Sequence, residues 1–344
     1  MKKALMELMV AGLVVFGLTA GLALADAVLL INGAGATFPY PLYSKWFYEY
    51  TKVDPTVNFN YQAIGSGGGI RQITAETVDF GASDGALTDE QLKQAPGELL
   101  HIPMTAGAVV ITYNLPEITQ RLKFSPDVVA DIFLGKINRW NDPRIVKDNP
   151  GVKLPDAHVI VAHRSDGSGT TNIFTDYLSS VSDTWKATVG KGTSVNWPVG
   201  LGGKGNEGVS GLVKQTQGVI GYVELAYAVK NDLPYADIKN KAGNFITPTI
   251  ETTTAAVNGK INTMPVDFRV SLVNPDGEDA YPIVGLTWIL VYKNQTDKEK
   301  GKKIVEFLRW AVTDGQKYSA DLLYAPLPGS LVKKIEERVD QISY

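Results

Sequence analysis

Three stretches of this sequence set a hydroxyl side chain among glycines or other small residues at the start of a predicted helix: Gly33-Ala34-Gly35-Ala36-Thr37-Phe38-Pro39, Gly65-Ser66-Gly67-Gly68-Gly69 and Asp166-Gly167-Ser168-Gly169-Thr170. A helix amino terminus offers unpaired N–H groups and the positive end of the helix dipole, so it holds an oxyanion without a full countercharge. Glycine lets an anion approach the backbone, and a Ser or Thr hydroxyl adds a hydrogen bond. Taken singly, each stretch is ordinarily a residue capping its own helix. Three in one chain point to a shared anion site, provided the fold gathers Thr37, Ser66 and Ser168. Arg164 stands two residues before Asp166, where an ion pair would orient the guanidinium and partly neutralise it. Asp84 closes Asp79-Phe80-Gly81-Ala82-Ser83-Asp84 at the carboxyl end of a predicted buried strand, where ligands bind in open α/β sheets. The same position suits a helix cap or a solvated turn.

These residues need a frame, and the pattern around them supplies one. Strand-like and helix-like segments alternate through most of the chain, as in α/β domains with helices on the faces of a sheet. The spacing predicts strands over 57–64, 78–83, 106–113, 158–164 and 283–292, and helices over 68–76 and 168–178. Thr88 precedes Asp89, Glu90 and Gln91 in capping-box spacing, and Ser125, Pro126 and Gly135 give a complete set of helix start and stop signals. Ile304, Val305, Leu308, Ala311 and Val312 recur at helical spacing, as do Val332, Ile335, Val339 and Ile342, so the chain finishes in helices.

With 344 residues, 44% hydrophobic and 20% charged, the chain has ordinary globular composition and room for two domains. Residues 1–25 stand apart. Lys2 and Lys3 lead into an uncharged apolar run closed by Ala23-Leu24-Ala25, the pattern of a secretory signal peptide cleaved before Asp26; the alternative is an uncleaved membrane anchor, but no basic stop-transfer cluster follows the run. Its removal takes away two of the 33 basic and one of the 36 acidic side chains, leaving a weakly acidic remainder. A nucleic-acid partner would need a basic footprint, so that class is excluded. The absence of cysteine removes the lipidated-cysteine anchor and fits an oxidising compartment, which points to a freely diffusing protein of a Gram-negative periplasm.

Several enzyme motifs fail on their context. Residues 200–205 fit G-x-G-x-x-G with Glu224 beyond them, but the preceding Val195-Asn196-Trp197-Pro198 is a poor buried strand. There is no phosphate-loop G-K-[ST], no H-E-x-x-H and no G-x-S-x-G elbow. His101, His158 and His163 lack metal-ligand spacing, although His163 adjoins Arg164 and could buttress it. Neither a metal nor a cofactor is expected.

Residues 33–39 (G-A-G-A-T-F-P), 64–69, 78–84 (V-D-F-G-A-S-D), Leu134-Gly135-Lys136-Ile137 with Trp140, 164–170 and 197–206 together resemble the substrate-binding protein of the phosphate-specific ABC transporter. The resemblance makes 200–205 a structural segment of that family. It implies a type II periplasmic binding protein fold, two α/β lobes joined by two crossovers with a ligand cleft between them. Lobe I would hold 26–113 and 280–344, and lobe II 114–279. It implies inorganic phosphate as ligand, the permease and ATPase subunits of a phosphate ABC transporter as partners, a monomer, and no catalysis. Matched position by position, the family's phosphate contacts fall on Thr37, Phe38 through its N–H, Ser66, Asp84, Arg164, Ser168, Gly169 and Thr170, with Asp166 holding the arginine. Gly67 stands where a second serine is common, and Gly85 where alanine is common. Two alternatives stay open: an exported phosphatase, which would need a nucleophile or metal cluster, and a sulfate or molybdate receptor, which would have no use for an acceptor at Asp84.

Overall fold

Short apolar and β-branched runs, broken by glycine, proline and asparagine, fold into strands separated by helices. The computed structural model describes residues 28–344, so the predicted signal peptide lies outside the described residues. Eleven strands occur among the described residues: β1 (Leu29–Gly35), β2 (Val57–Ala63), β3 (Phe80–Ser83), β4 (Leu99–Tyr113), β5 (Lys123–Phe124), β6 (Ile160–Arg164), β7 (Leu201–Gly203), β8 (Val219–Glu224), β9 (Asp237–Lys239), β10 (Phe245–Ile246) and β11 (Val284–Tyr292). Eight form one mixed sheet in the order β2-β1-β3-β11-β4-β8-β6-β7, and the other three form a small sheet, β10-β9-β5.

β4 ties the large sheet together. Its residues Leu99–Ala108 pair antiparallel with β11, and Val109–Tyr113 pair antiparallel with β8. Every β4 residue is buried, which accounts for its nearly unbroken apolar run. The strand begins seven residues earlier than the sequence pattern predicts, because Pro103 masks it. The pairing steps from Thr287–Thr105 to Trp288–Pro103, and this bulge at Met104 is a place where a central strand tolerates proline. On one side of β4, β1 runs parallel to both β2 and β3; on the other, β6 runs parallel to both β7 and β8.

Most expected elements form, with shifted ends. The helix predicted over 68–76 is Ser66–Thr74, and that over 168–178 is Gly169–Val181 with Ser168 as its cap. Thr88 and Gln91 make the expected capping box. Ser125 precedes the helix Pro126–Phe133, but its hydroxyl donates to Asp148 Oδ2 at 2.7 Å and does not cap that helix. β1 has no clear signature of its own, since four of its seven residues are glycine, alanine or asparagine.

Each side of β4 has an aromatic core. On the first, Phe47 stacks on Phe59 at 4.9 Å between centroids, and Phe307 packs 4.4 Å from Phe59 and 5.2 Å from Tyr50. Phe307 belongs to the helix Lys298–Val312, so the carboxyl-terminal part of the chain completes the core begun by β1–β3. On the second, Phe174 lies between Phe133 at 4.7 Å and Tyr222 at 4.4 Å. Because Phe307 is 1% exposed, Phe307→Ala is expected to lower stability by about 3–5 kcal/mol. The measurement is urea unfolding, with a lower midpoint at unchanged slope.

Candidate functional site

The predicted site residues lie at or just beyond the carboxyl ends of parallel strands. Thr37 and Phe38 follow β1, Ser66 follows β2, Asp84 follows β3, and Arg164 ends β6 with Asp166, Ser168, Gly169 and Thr170 beyond it. All except Asp166 are buried. The loops meet across the middle of the molecule: the Gly67 N–H donates to the Gly167 carbonyl at 2.9 Å, and the Gly169 N–H donates to Ser66 Oγ at 3.0 Å.

The Ser66 oxygen also accepts from the Asp84 N–H at 3.1 Å, so its two lone pairs are taken by one donor from each side. Arg164, whose side chain is 1% exposed, makes a bidentate pair with Asp166 through Nε at 2.8 Å and Nη2 at 2.6 Å. Nη1 points elsewhere, 3.4 Å from Thr170 Oγ1. Burial alone would raise the Asp166 carboxyl, but the Arg164 pair and the Gly205 N–H, 3.0 Å away, hold it below its ordinary value.

Asp84 behaves in the opposite way. It is 2% exposed, and burial pushes its carboxyl up to about 7, against the pull of Thr287, Arg164 and Ser66. Its Oδ2 lies 3.4 Å from Ser66 Oγ, while Oδ1 is buried and makes no hydrogen bond of ordinary length among the described residues, although the equally unpartnered Thr287 hydroxyl lies near enough to pull on the carboxyl. Asp84 is therefore neither a helix cap nor a solvated turn residue. A cavity of about 470 Å³ reaches it from one side. The two cations that line this cavity are already neutralised, Lys191 by Asp176 and Arg269 by Asp89 and Asp267.

Other expectations change in detail. Thr37 does not start a helix: the helix Tyr40–Tyr50 begins three residues later, and its cap position is Pro39. Ser168 does cap its own helix, accepting from the Thr171 N–H at 3.0 Å. Gly65, Gly67 and Gly169 serve less to admit an anion than to admit the opposite loop. A Cβ on Gly169 would sit 2.5 Å from Asp84 and Ser66, one on Gly67 would sit 3.0 Å from Gly167, and one on Gly65 would collide with Asp166. His163 does not touch the Arg164 guanidinium; its Nδ1 faces the Arg164 carbonyl and its ring stacks on Trp197 at 4.9 Å.

Sequence reasoning missed Asn206, a fully buried residue at the start of the helix Gly205–Gln215. Its Nδ2 lies 2.8 Å from Thr37 Oγ1 and 3.2 Å from Thr170 Oγ1. The only signal was its position at the end of the segment 197–206. It also missed Tyr227 and Tyr324, whose hydroxyls donate to the Thr37 and Phe38 carbonyls at 2.6 and 2.7 Å. Among the described residues, no group of three or more acidic, histidine or cysteine side chains is placed to hold a metal, and no helix is long and apolar enough to cross a membrane.

Parallel-strand loops that converge on buried hydroxyls, one arginine and one unpaired carboxylate oxygen define a small-ligand receptor of the α/β binding-protein class. Consistent with this, the model of the PBP superfamily domain matches residues 22–314. The chain is 48% identical over 315 residues to the phosphate-binding protein PstS of Pasteurella multocida (strain Pm70), covering 91% of each chain. It is 47% identical over 307 residues to the PstS of Xylella fastidiosa (strain 9a5c), covering 89% of this chain and 84% of that one. Its fold matches the solved phosphate-binding protein from Stenotrophomonas maltophilia with a TM-score of 0.67 at 19% identity, over 90% of this chain and 93% of that one. The chain belongs to the PstS family of phosphate-binding proteins.

The Arg164–Asp166 pair yields a test independent of any ligand. Removing one partner of a buried pair leaves the other uncompensated, so Asp166→Asn is expected to lower stability at pH 7 by about 3 kcal/mol. Because the Asp166 carboxyl is held below its ordinary value of 3.8, its contribution is present above that value and lost as pH falls through the depressed one. The stability gap between wild type and variant, measured by denaturant unfolding, should close below about pH 4.

Proposed function

We propose that this protein binds inorganic phosphate outside the cytoplasmic membrane, without turnover, and delivers it to the permease and ATPase subunits of a phosphate ABC transporter. In this reading residues 1–25 are a cleaved export signal, and the mature protein is a periplasmic monomer. Residues 26–113 with 280–344 form one lobe, residues 114–279 the other, and β4 is one of the crossovers between them. Phosphate lies between the lobes, contacted by Thr37, the Phe38 N–H, Ser66 and Asp84 from the first and by Arg164, Ser168, Gly169 and Thr170 from the second. Asp166 orients the arginine.

The observation that carries this reading is Asp84 Oδ1, a buried acceptor that makes no hydrogen bond of ordinary length in a site made mostly of donors. Phosphate keeps at least one proton at neutral pH and can donate it to this oxygen. Sulfate is fully ionised, so against the ionised Asp84 carboxylate it would set an acceptor against an acceptor and add like-charge repulsion, relieved only where Asp84 takes up a proton. A site built around one hydrogen bond rejects the analogue lacking it by about 10⁴.

Calorimetric titration of the wild type at pH 8.5, above the raised Asp84 value, and fixed ionic strength is expected to show phosphate bound far more tightly than sulfate, approaching about 10⁴-fold. Asp84→Asn removes the repulsion and can turn an N–H towards either anion, so the phosphate-to-sulfate ratio should narrow sharply. An unchanged ratio would remove Asp84 from the discriminating role, and a wild type that ignores phosphate would sink the reading itself.

Lobe closure has its own test. Gly169 packs on Asp84 and Ser66 from the other lobe, and a Cβ there would lie 2.5 Å from them. Gly169→Ala should weaken phosphate binding by about 10- to 100-fold, the equivalent of 1–3 kcal/mol of overpacking. In small-angle scattering, saturating phosphate should compact the wild type more than the variant. Equal radii of gyration for wild type with and without phosphate would argue against a closing cleft.

A further inference from the structure

Asn206 bonds the hydroxyls of Thr37 and Thr170, and the arrangement decides which way those hydroxyls point. The Asn206 Oδ1 accepts from the Glu224 backbone N–H at 3.0 Å. A backbone N–H can only donate, so the amide orientation is settled and Nδ2 must face the two threonines. One of its N–H groups goes to Thr37 Oγ1 at 2.8 Å and the other to Thr170 Oγ1 at 3.2 Å.

Each threonine oxygen then receives a second donor. For Thr37 it is the Asn206 backbone N–H at 3.3 Å, and for Thr170 it is Arg164 Nη1 at 3.4 Å. A hydroxyl has two lone pairs and one proton. With both lone pairs facing donors, each threonine is left with only its O–H to offer, and neither O–H has an acceptor among the described residues. Ser66 is filled in the same way by the Asp84 and Gly169 N–H groups.

We propose that Asn206 is a positioning residue that fixes Thr37 and Thr170 as obligate donors, and that this preset polarity contributes to the recognition of phosphate. The proposal rests on the phosphate-binding function put forward above. Thr37 follows β1, whereas Asn206 and Thr170 follow β7 and β6, so the same amide also ties the two sides of β4 together beside the ligand. A carboxylate in place of this amide would do the reverse. It would accept the two O–H groups and turn them away from the anion.

The test is phosphate titration of wild type, Asn206→Asp and Asn206→Ala between pH 5.5 and 8.5. Thermal melting without phosphate confirms that each variant is folded. Asn206→Asp should bind phosphate at least about 100-fold more weakly than wild type at pH 8, since two donations to an anion are lost. Its deficit relative to wild type should shrink as pH falls, because a protonated carboxyl regains an O–H donor. Asn206→Ala removes the amide without adding a competing acceptor, so its deficit should be smaller and flat with pH.

Repulsion by the new charge would also fade on protonation, so the comparison is repeated with Thr37→Val and Thr170→Val combined. If Asn206 acts through the hydroxyls, the factor lost to Asn206→Asp should fall at least about tenfold in that background. An undiminished factor, or equal and pH-independent deficits in the two Asn206 variants, would overturn the proposal and leave Asn206 a packing residue. If wild type itself fails to bind phosphate, the underlying function falls instead. Should Asn206→Asp not fold, a deficit in Asn206→Ala that persists undiminished in the valine background is the overturning result.

Discussion

A carboxylate oxygen held away from water without a donor is among the costliest arrangements a protein can keep, and Asp84 Oδ1 is such an atom. Much of the surrounding structure bears on what satisfies it. Gly169 presses on Asp84 from the far side, and Ser66 takes the Asp84 N–H while accepting the Gly169 N–H. The contacts that join the two sides of the sheet are thus the contacts that bury the carboxylate. The lift of Asp84 to about 7 expresses the resulting tension, because near neutral pH this packing must either bury a charge or take up a proton. In the proposed phosphate site a ligand O–H would relieve it, and binding would then share a free-energy term with the contacts that bury Asp84.

Positive charge is used sparingly around that carboxylate. The whole chain carries a net charge of −3, and Arg164 spends two of its nitrogens on Asp166. What remains for an anion is mostly neutral: hydroxyls and the backbone N–H groups of loops and helix starts. Neutral donors in a dry site hold an anion through short directed bonds, which salt screens little. They also allow the protein to keep an acidic surface without forfeiting an anionic ligand.

The strand-and-helix order and the strand-end loops that the fold gathers were legible in the sequence because glycine and hydroxyl runs at strand ends are local signals. What those glycines do was not. Gly65, Gly67 and Gly169 look like devices for bringing backbone close to an anion, yet each Cβ position is filled by the opposite loop, a fact that only tertiary structure supplies. Ser125 shows the same limit at smaller scale: its sequence context is that of a cap, but Asp148, 23 residues away, takes its hydroxyl. The bonding of Asn206 was hidden for a related reason. All of its side-chain partners, Thr37, Thr170 and Glu224, are at least 18 residues distant. No spacing rule reaches that far.

Phosphate and sulfate are similar in size and shape, so a site that relied on charge and volume would scarcely separate them. Their difference is one proton, and a protein can read a proton only if its own donors and acceptors are fixed before the ligand arrives. A freely rotating hydroxyl defeats this, because it donates to one ligand and accepts from another. Fixing the polarity of a hydroxyl therefore calls for neighbours that fill its lone pairs. Here the Asp84 and Gly169 N–H groups do so for Ser66, and Asn206 with Arg164 does so for Thr37 and Thr170. Against such a set of donors, the proposed role of Asp84, an acceptor once it is ionised, would make the ligand's single proton decisive.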